Sequence, residues 1–394
     1  MKRKVSLTTA VISCLLTAVF VLLMTCFFIT GSVNLLKLPD KGSDFQKLEE
    51  INDYARVNYI KPIDDTSVLD QMAIGYLMGL NDPYAAYYTS DEFARLTEEN
   101  EGQLVGIGIS VCPSSDGAIE ILTVYPDSPA AEAGFQSGDE IVKVDGQYAS
   151  EIGFNQATDL LHGEVGTTVT LTVCRNNEEF ETSVIRENVE IPSVFYQMDG
   201  NIGYIKITAF HQSTVSQFQE ALTDLINQGA NSLVFDLRDN GGGTLDSVCS
   251  ILDTLLPEGV LVRQTRADGN TEVLASSGAE EIDLPMAVLT NGNTASAAEL
   301  FTCDIKDYEK GIQVGEKTYG KGVLQTTHLL QDGSAIKLTT AYYNPAKSDN
   351  YDGVGLIPDY EVGLSESQLE AYRNGNLPLS EDPQYQEAIA KLSK

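Results

Sequence analysis

The sequence predicts a multidomain protein that combines α/β and α+β units, and three observations carry that prediction. The chain has 394 residues, too many for one ordinary domain. Short β runs broken by turn signals fill residues 101–186. Strand-like and helix-like segments then alternate over 187–362, the pattern of a mixed, largely parallel sheet covered by helices.

Composition narrows the function classes. Hydrophobic residues make up 42% and charged residues 21%, which supplies ample material for a core. The formal net charge of −32 argues against nucleic acid as a partner, because phosphate binding needs clustered Lys and Arg. It also disfavours a surface lying flat on anionic lipid. The acidic residues are scattered, as on a solvated surface.

The N-terminus reads as an anchor. Residues 1–6 carry positive charge, and residues 7–30 contain no charged side chain, a run long enough to span a bilayer. The basic stub stays in the cytoplasm, so the rest is exported: a single-pass protein of the cell membrane. A cleavable signal peptide is the competing reading, but Phe27-Phe28-Ile29-Thr30-Gly31-Ser32 offers no good small-x-small site. Residues 31–43 form a linker.

From 44 to 100, Leu48, Ile51, Ala55 and then Val68, Met72 and Leu77 recur at helical spacing, which predicts a small all-helical segment. Asn81-Asp82-Pro83 breaks it, and Thr89-Ser90-Asp91-Glu92 opens a further helix. In 101–186 the β runs are 104–111, 119–124, 140–144 and 168–173, with helical stretches near 130–133 and 153–161. In 187–362 the strands are 202–207, 233–237, 286–290 and 312–314. The helices there are 215–227, 244–256 and 295–307. The tail, 363–394, is polar with one helix at 384–392. Four cysteines lie beyond the anchor, Cys112, Cys174, Cys249 and Cys303. They match no metal-binding spacing and read mostly as small core residues, with a bridge left open.

Two segments carry candidate chemistry. Val288-Leu289-Thr290-Asn291-Gly292-Asn293-Thr294-Ala295-Ser296-Ala297-Ala298-Glu299 runs from a strand through small residues into a helix. It places Ser296 in the first turn, where free N–H groups and the helix dipole favour negative charge. Read alone, the segment is simply a capped helix. The second, Gly320-Lys321-Gly322, sets a lysine between two glycines, which leave it uncrowded. A lysine serves as base for a serine only when neutral. Its ordinary pKa must then fall by roughly 3 units, about 4 kcal/mol, through burial. Most lysines in such turns are merely solvated.

Together, segments 286–301 and 312–327 resemble the two active-site blocks of the carboxyl-terminal processing (tail-specific) serine peptidases. The resemblance implies Ser296 as nucleophile, Lys321 as base, and Gln325 as the residue orienting the lysine amine. Val234-Phe235-Asp236-Leu237-Arg238-Asp239-Asn240-Gly241-Gly242-Gly243 resembles the family's Asp-Leu-Arg-x-Asn-Pro-Gly-Gly turn, with Gly241 in place of Pro. It implies an oxyanion hole formed by the Gly242 and Ala297 N–H groups. Residues 353–359 are similar to the family's closing motif, so the resemblance spans about 44–362. It also implies a serine protease core at 187–362.

Gly106-Ile107-Gly108-Ile109, followed by 125–134, Gly138-Asp139-Glu140-Ile141 and Val144-Asp145-Gly146, resembles a PDZ domain. This implies that Gly106, Ile107, Gly108 and Ile109 hold a peptide carboxylate while the peptide adds a strand. The implied activity is cleavage of exported proteins near their C-termini, with the PDZ domain capturing a free C-terminus and gating the site. The resemblance also suggests a homodimer through the helical segment and the tail. No metal or cofactor is implied.

Rival readings are weaker. Ser334-Ala335-Ile336-Lys337 fits S-x-x-K, but it follows a turn and alternates like a strand, whereas that motif needs a helix. No G-x-S-x-G or H-E-x-x-H is present, and no Gly-Lys-Ser/Thr follows the glycine turn to make a P-loop. A catalytically silent PDZ scaffold at the membrane is the alternative from another class. Retention of Ser296, Lys321 and Gln325 together speaks against it.

Overall fold

A computed structural model describes residues 45–278 and 281–393. The stub, anchor and linker expected at 1–43 lie outside these residues. Among the described residues no helix is long and apolar enough to cross a membrane. The chain divides into two units, the first ending at Gln71. From Phe45 onward that first unit holds the helix Gln46–Asn58 and the start of the helix Asp65–Met78. An exposed Arg56–Asp65 ion pair at 2.5 Å links the two.

The second unit contains three layers that matter for function. In the central sheet the strand order is Val194–Asp199, Ile202–Ile207, Ser232–Asp236, Met286–Thr290, Gly311–Gly315 and Tyr360–Glu361. The first pair is antiparallel and the other four are parallel. Strand side chains alternate between two cores, as a pleat requires. Leu233, Phe235, Met286 and Val288 pack with the helices Thr214–Asn227, Leu245–Leu255 and Ala297–Asp307. Val234, Ala287 and Leu289 face the helix Pro383–Leu392 through Tyr385 and Ala388.

The tail therefore completes the core. Arg238, 3% exposed, donates to both Asp236 oxygens and to Gln384, pairs with Asp382 at 2.7 Å, and stacks 4.5 Å from the Tyr372 ring. A buried guanidinium is tolerated only when so fully partnered. The helix Glu366–Arg373, which carries Tyr372, lies in a stretch whose polar composition gives no strong period.

A second, antiparallel sheet joins Ala86–Tyr88, Ala335–Asn344, Gly259–Arg266 and Thr271–Ser277, with Val323–Leu329 paired to Ala335–Asn344. Ala86–Tyr88 corrects the all-helical reading of 44–100. The break at Asn81-Asp82-Pro83 ends the helix, and the following aromatic run adds to a strand far away in sequence. The helix start at Thr89 forms as the spacing predicts. The Thr89 hydroxyl accepts the Glu92 N–H, and the Glu92 carboxylate accepts the Thr89 N–H.

Residues 109–185 form a separate sheet in the order Ile109–Pro113, Ile119–Val124, Glu140–Val144, Thr168–Arg175, Glu178–Ile185, around a core that includes Ile119, Ile141 and Leu171. The run read as one strand at 104–111 is two. Gln103–Gly106 pairs with Glu187–Glu190, and Ile109–Pro113 is the edge of the 109–185 sheet. The turn between them, at Gly108 with φ 80°, accounts for the division. Cys112, Cys174, Cys249 and Cys303 are free thiols, the last two buried.

Candidate active site

Strands Ser232–Asp236 and Met286–Thr290 run parallel, and both release their loops at the same edge of the sheet. Side-chain bonds stitch these loops together. Thr294 Oγ1 donates to the Leu237 carbonyl (2.8 Å), and Asn291 and Asn293 both donate to Asp239 Oδ1 (2.8 Å each). The Ala295 N–H donates to the Asn240 carbonyl at 2.9 Å. Ser296 emerges from this junction with φ 58° and ψ −120°, a conformation that costs a non-glycine residue roughly 1–3 kcal/mol. The helix begins one residue later, at Ala297, so Ser296 caps the helix rather than sitting in its first turn.

Glu299 accounts for that placement. It is fully buried, and its carboxylate accepts four hydrogen bonds: from the Ser296 N–H (2.9 Å), Thr318 Oγ1 (2.5 Å), the Gly320 N–H (2.7 Å) and the Lys321 N–H (2.8 Å). One carboxylate thus holds the backbones of Ser296 and Lys321 in fixed relation. Gly320, at φ 93°, is required here, because a Cβ would lie 2.7 Å from the Gly355 nitrogen. Behind Ser296, the Tyr343 hydroxyl donates to the Lys321 carbonyl (2.6 Å) and receives the Tyr351 hydroxyl (3.1 Å).

Ser296, Ala297, Lys321 and Gln325 line one cleft of about 390 Å³ with Gly241 and Lys337. Burial pulls the Lys321 amine below its ordinary range, and the Lys337 ammonium adds to that. Asp82 and Glu299 act in the opposite direction. The amine lies 4.6 Å above the Tyr84 ring centroid, and no described hydrogen bond joins it to Ser296. Gln325 donates its amide to the Val323 carbonyl (3.2 Å) and to Thr339 Oγ1 (3.3 Å), rather than to Lys321.

Gly242 packs against Ser296, and at φ 105° a Cβ there would sit 2.8 Å from the serine Cβ. Its N–H donates to Asn240 Oδ1 at 2.8 Å and so is engaged within its own turn. The Ala297 N–H, the first of the helix, has no described partner. The Gly106–Ile109 segment lies outside this cleft, in the β module. There the Ile107 and Gly108 carbonyls accept the Ala130 and Tyr125 N–H groups, at 2.8 and 2.9 Å. Ser334 bonds to Asp332 at the head of a strand, away from Ser296, while Lys337 alone of that S-x-x-K string reaches the cleft.

Glu299, Tyr84, Lys337 and Asn240 are the site residues that motif reading missed. Glu299 had a local signal, since it stands three residues after Ser296, the capping-box spacing.

Known proteins share this architecture. Residues 201–362 match the model of peptidase family S41, and residues 120–175 match a PDZ domain. The carboxy-terminal processing protease CtpA of Bacillus subtilis (strain 168) is 31% identical over 370 residues, covering 92% of this chain and 78% of that one. The carboxy-terminal-processing protease of Bartonella bacilliformis is 30% identical over 348 residues, covering 83% and 80%. The solved photosystem II D1 C-terminal processing protease superposes with a TM-score of 0.51 at 27% identity, covering 87% and 92%. The chain belongs to peptidase family S41, the carboxyl-terminal processing serine proteases.

Proposed function

We propose that the chain is an endopeptidase that cuts exported proteins near their C-termini with a Ser296–Lys321 dyad. Neutral Lys321 takes the proton of Ser296 Oγ, and Oγ attacks the peptide carbonyl. The Ala297 N–H and the Gly242 N–H, once released from Asn240, hold the oxyanion. Lys321 returns the proton to the leaving amine, and water then frees the acyl group. For this step the lysine amine swings from the Tyr84 ring toward Ser296, and Gln325 steadies it there.

The observation that carries this reading is the Glu299 carboxylate, bonded at once to the Ser296 and Lys321 backbones at the edge of a shared cleft. The PDZ module, residues 101–186, captures the substrate's free C-terminus along its open edge strand Ile109–Pro113, with Gly106–Ile109 at the carboxylate. It also gates the cleft. Residues 7–30 anchor the chain in the cell membrane with the catalytic part outside, and the helical segment and tail pair two copies.

The test is cleavage of an unfolded reporter with an apolar free C-terminus by the full-length purified chain. Ser296→Ala and Lys321→Ala lose activity, and an amidated reporter is cut more slowly. Continued cutting by either alanine variant refutes the dyad. A wild type that binds the reporter's C-terminus and leaves it intact would make the chain a scaffold.

A further inference from the structure

Lys337 belongs to no established part of the site, yet it faces the same cleft as Ser296 and Lys321. It lies on the strand Ala335–Asn344, opposite Thr327 on one side and Ala86 on the other. Its amine rests 5.2 Å from the Tyr88 ring centroid, and among the described residues no carboxylate pairs with it. A half-buried lysine without a counter-ion, beside a second lysine, is an unfavourable arrangement that a surface role does not require.

The other groups around Lys321 explain its use. From the segment before Ala86 come Asp82 and the Tyr84 ring; from the helix Ala297–Asp307 comes Glu299; from its own loop comes Tyr319; and from the segment after Asn344 comes Asp352, which accepts the Gly322 N–H. The strand Ala335–Asn344 adds Tyr343, whose hydroxyl meets the Lys321 carbonyl. The carboxylates and the aromatic face all favour the ammonium form. Among the charged groups of the described residues that act on Lys321, Lys337 alone opposes them.

We propose that Lys337 keeps Lys321 in its neutral, proton-accepting form by placing a second positive charge in the same cleft, which makes it a positioning residue acting through Lys321. This rests on the Ser296–Lys321 reading. The direction of the Lys321 shift, with Lys337 as its second cause after burial, agrees.

The experiment measures the second-order rate of Ser296 modification by a fluorophosphonate on the full-length chain, from about pH 6 to about pH 10. The rate rises with pH as Lys321 loses its proton. In Lys337→Gln that rise moves up by about one pH unit, so labelling is about tenfold slower on the acid side and recovers at the alkaline plateau. Lys337→Arg keeps the charge and keeps the rise where the wild type has it. A glutamine variant whose rise is unmoved overturns the inference, whether its plateau is lowered by lost packing or its KM for peptides ending in a free carboxylate increases. Lys321→Ala separates the two levels. If it still labels at wild-type rates, the dyad fails and this inference fails with it. If it does not label and Lys337→Gln leaves the rise unmoved, only the inference fails.

Discussion

Replacing Glu299 by glutamine changes one oxygen to an NH₂ group, and the geometry of its four donors sets the consequence. The amide oxygen can retain two of the donors from Ser296, Thr318, Gly320 and Lys321. With the NH₂ turned toward Thr318, whose hydroxyl can rotate to accept it, the Gly320 N–H is left facing an N–H beside a fully buried side chain. Each unpaired buried donor costs about 1–3 kcal/mol, and the two retained bonds lose their charge assistance. The sum is about 2–4 kcal/mol, a substantial part of the roughly 5–15 kcal/mol that holds a domain together. Cleavage falls as well, because displacing either reacting group by about 1 Å costs on the order of 100-fold. The electrostatic effect alone has the opposite sign. The Glu299 charge favours the Lys321 ammonium, so neutralising it would make the base more available and speed cleavage at neutral pH. Urea unfolding followed by far-UV circular dichroism suits a chain with no Trp, and kcat/KM on a peptide reporter gives the second reading. A Glu299→Gln variant that unfolds within about 1 kcal/mol of wild type and cuts at least as fast would refute the clamp.

Two further substitutions test neighbouring features. Gly242→Ala forces a side chain into a φ of 105° with its Cβ 2.8 Å from the Ser296 Cβ, so kcat/KM should fall by about 100-fold or more in a peptide-cleavage assay. Asp304 is buried, with Oδ1 accepting the Ala346 N–H at 2.9 Å and Oδ2 unpartnered, and burial holds its carboxyl well above the ordinary range. A raised folded pKa means the protonated form is the one that fits. The stability this contributes is full below the unfolded pKa, about 3.9, and is lost as pH rises through the folded value. Asp304→Asn mimics the protonated form. Its thermal midpoint should match wild type in acid and exceed it increasingly toward neutrality, and a difference independent of pH would rule this out.

Much of the fold could be read because its elements follow local rules. Ile202–Ile207 and Met286–Thr290 form as read, being apolar runs of strand length bounded by turn residues, and the helix read at 215–227 forms from Thr214 to Asn227 on a clear 3.6-residue period. The antiparallel sheet was mostly illegible. Gly259–Arg266 and Thr271–Ser277 mix Arg, Gln, Glu and Ser with their apolar residues, and Ala86–Tyr88 is three residues long. Each is stabilised by partners distant in sequence rather than by its own pattern. The same divide runs through the site. Ser296 and Lys321 stand in recognisable strings, but Tyr84 comes to the Lys321 amine, and Lys337 to the cleft, from segments far apart in sequence that meet where Ala86 pairs with Lys337.

That pairing bears on how Lys321 could serve as the base of the proposed dyad. A net charge of −32 adds a background that favours protonated lysines, screened by salt beyond about 8 Å. The proposed dyad needs Lys321 neutral near pH 7, and burial then has to overcome the nearby Asp82 and Glu299. The Glu299 carboxylate holds the backbones of both Ser296 and Lys321. In the proposed dyad, a clamp built from a carboxylate thus works against the base it positions. The compensating positive charge proposed at Lys337, on a strand lining the cleft, would resolve that conflict without disturbing the clamp. On this view the antiparallel sheet sets the charge balance of the active site, while the central sheet sets its geometry.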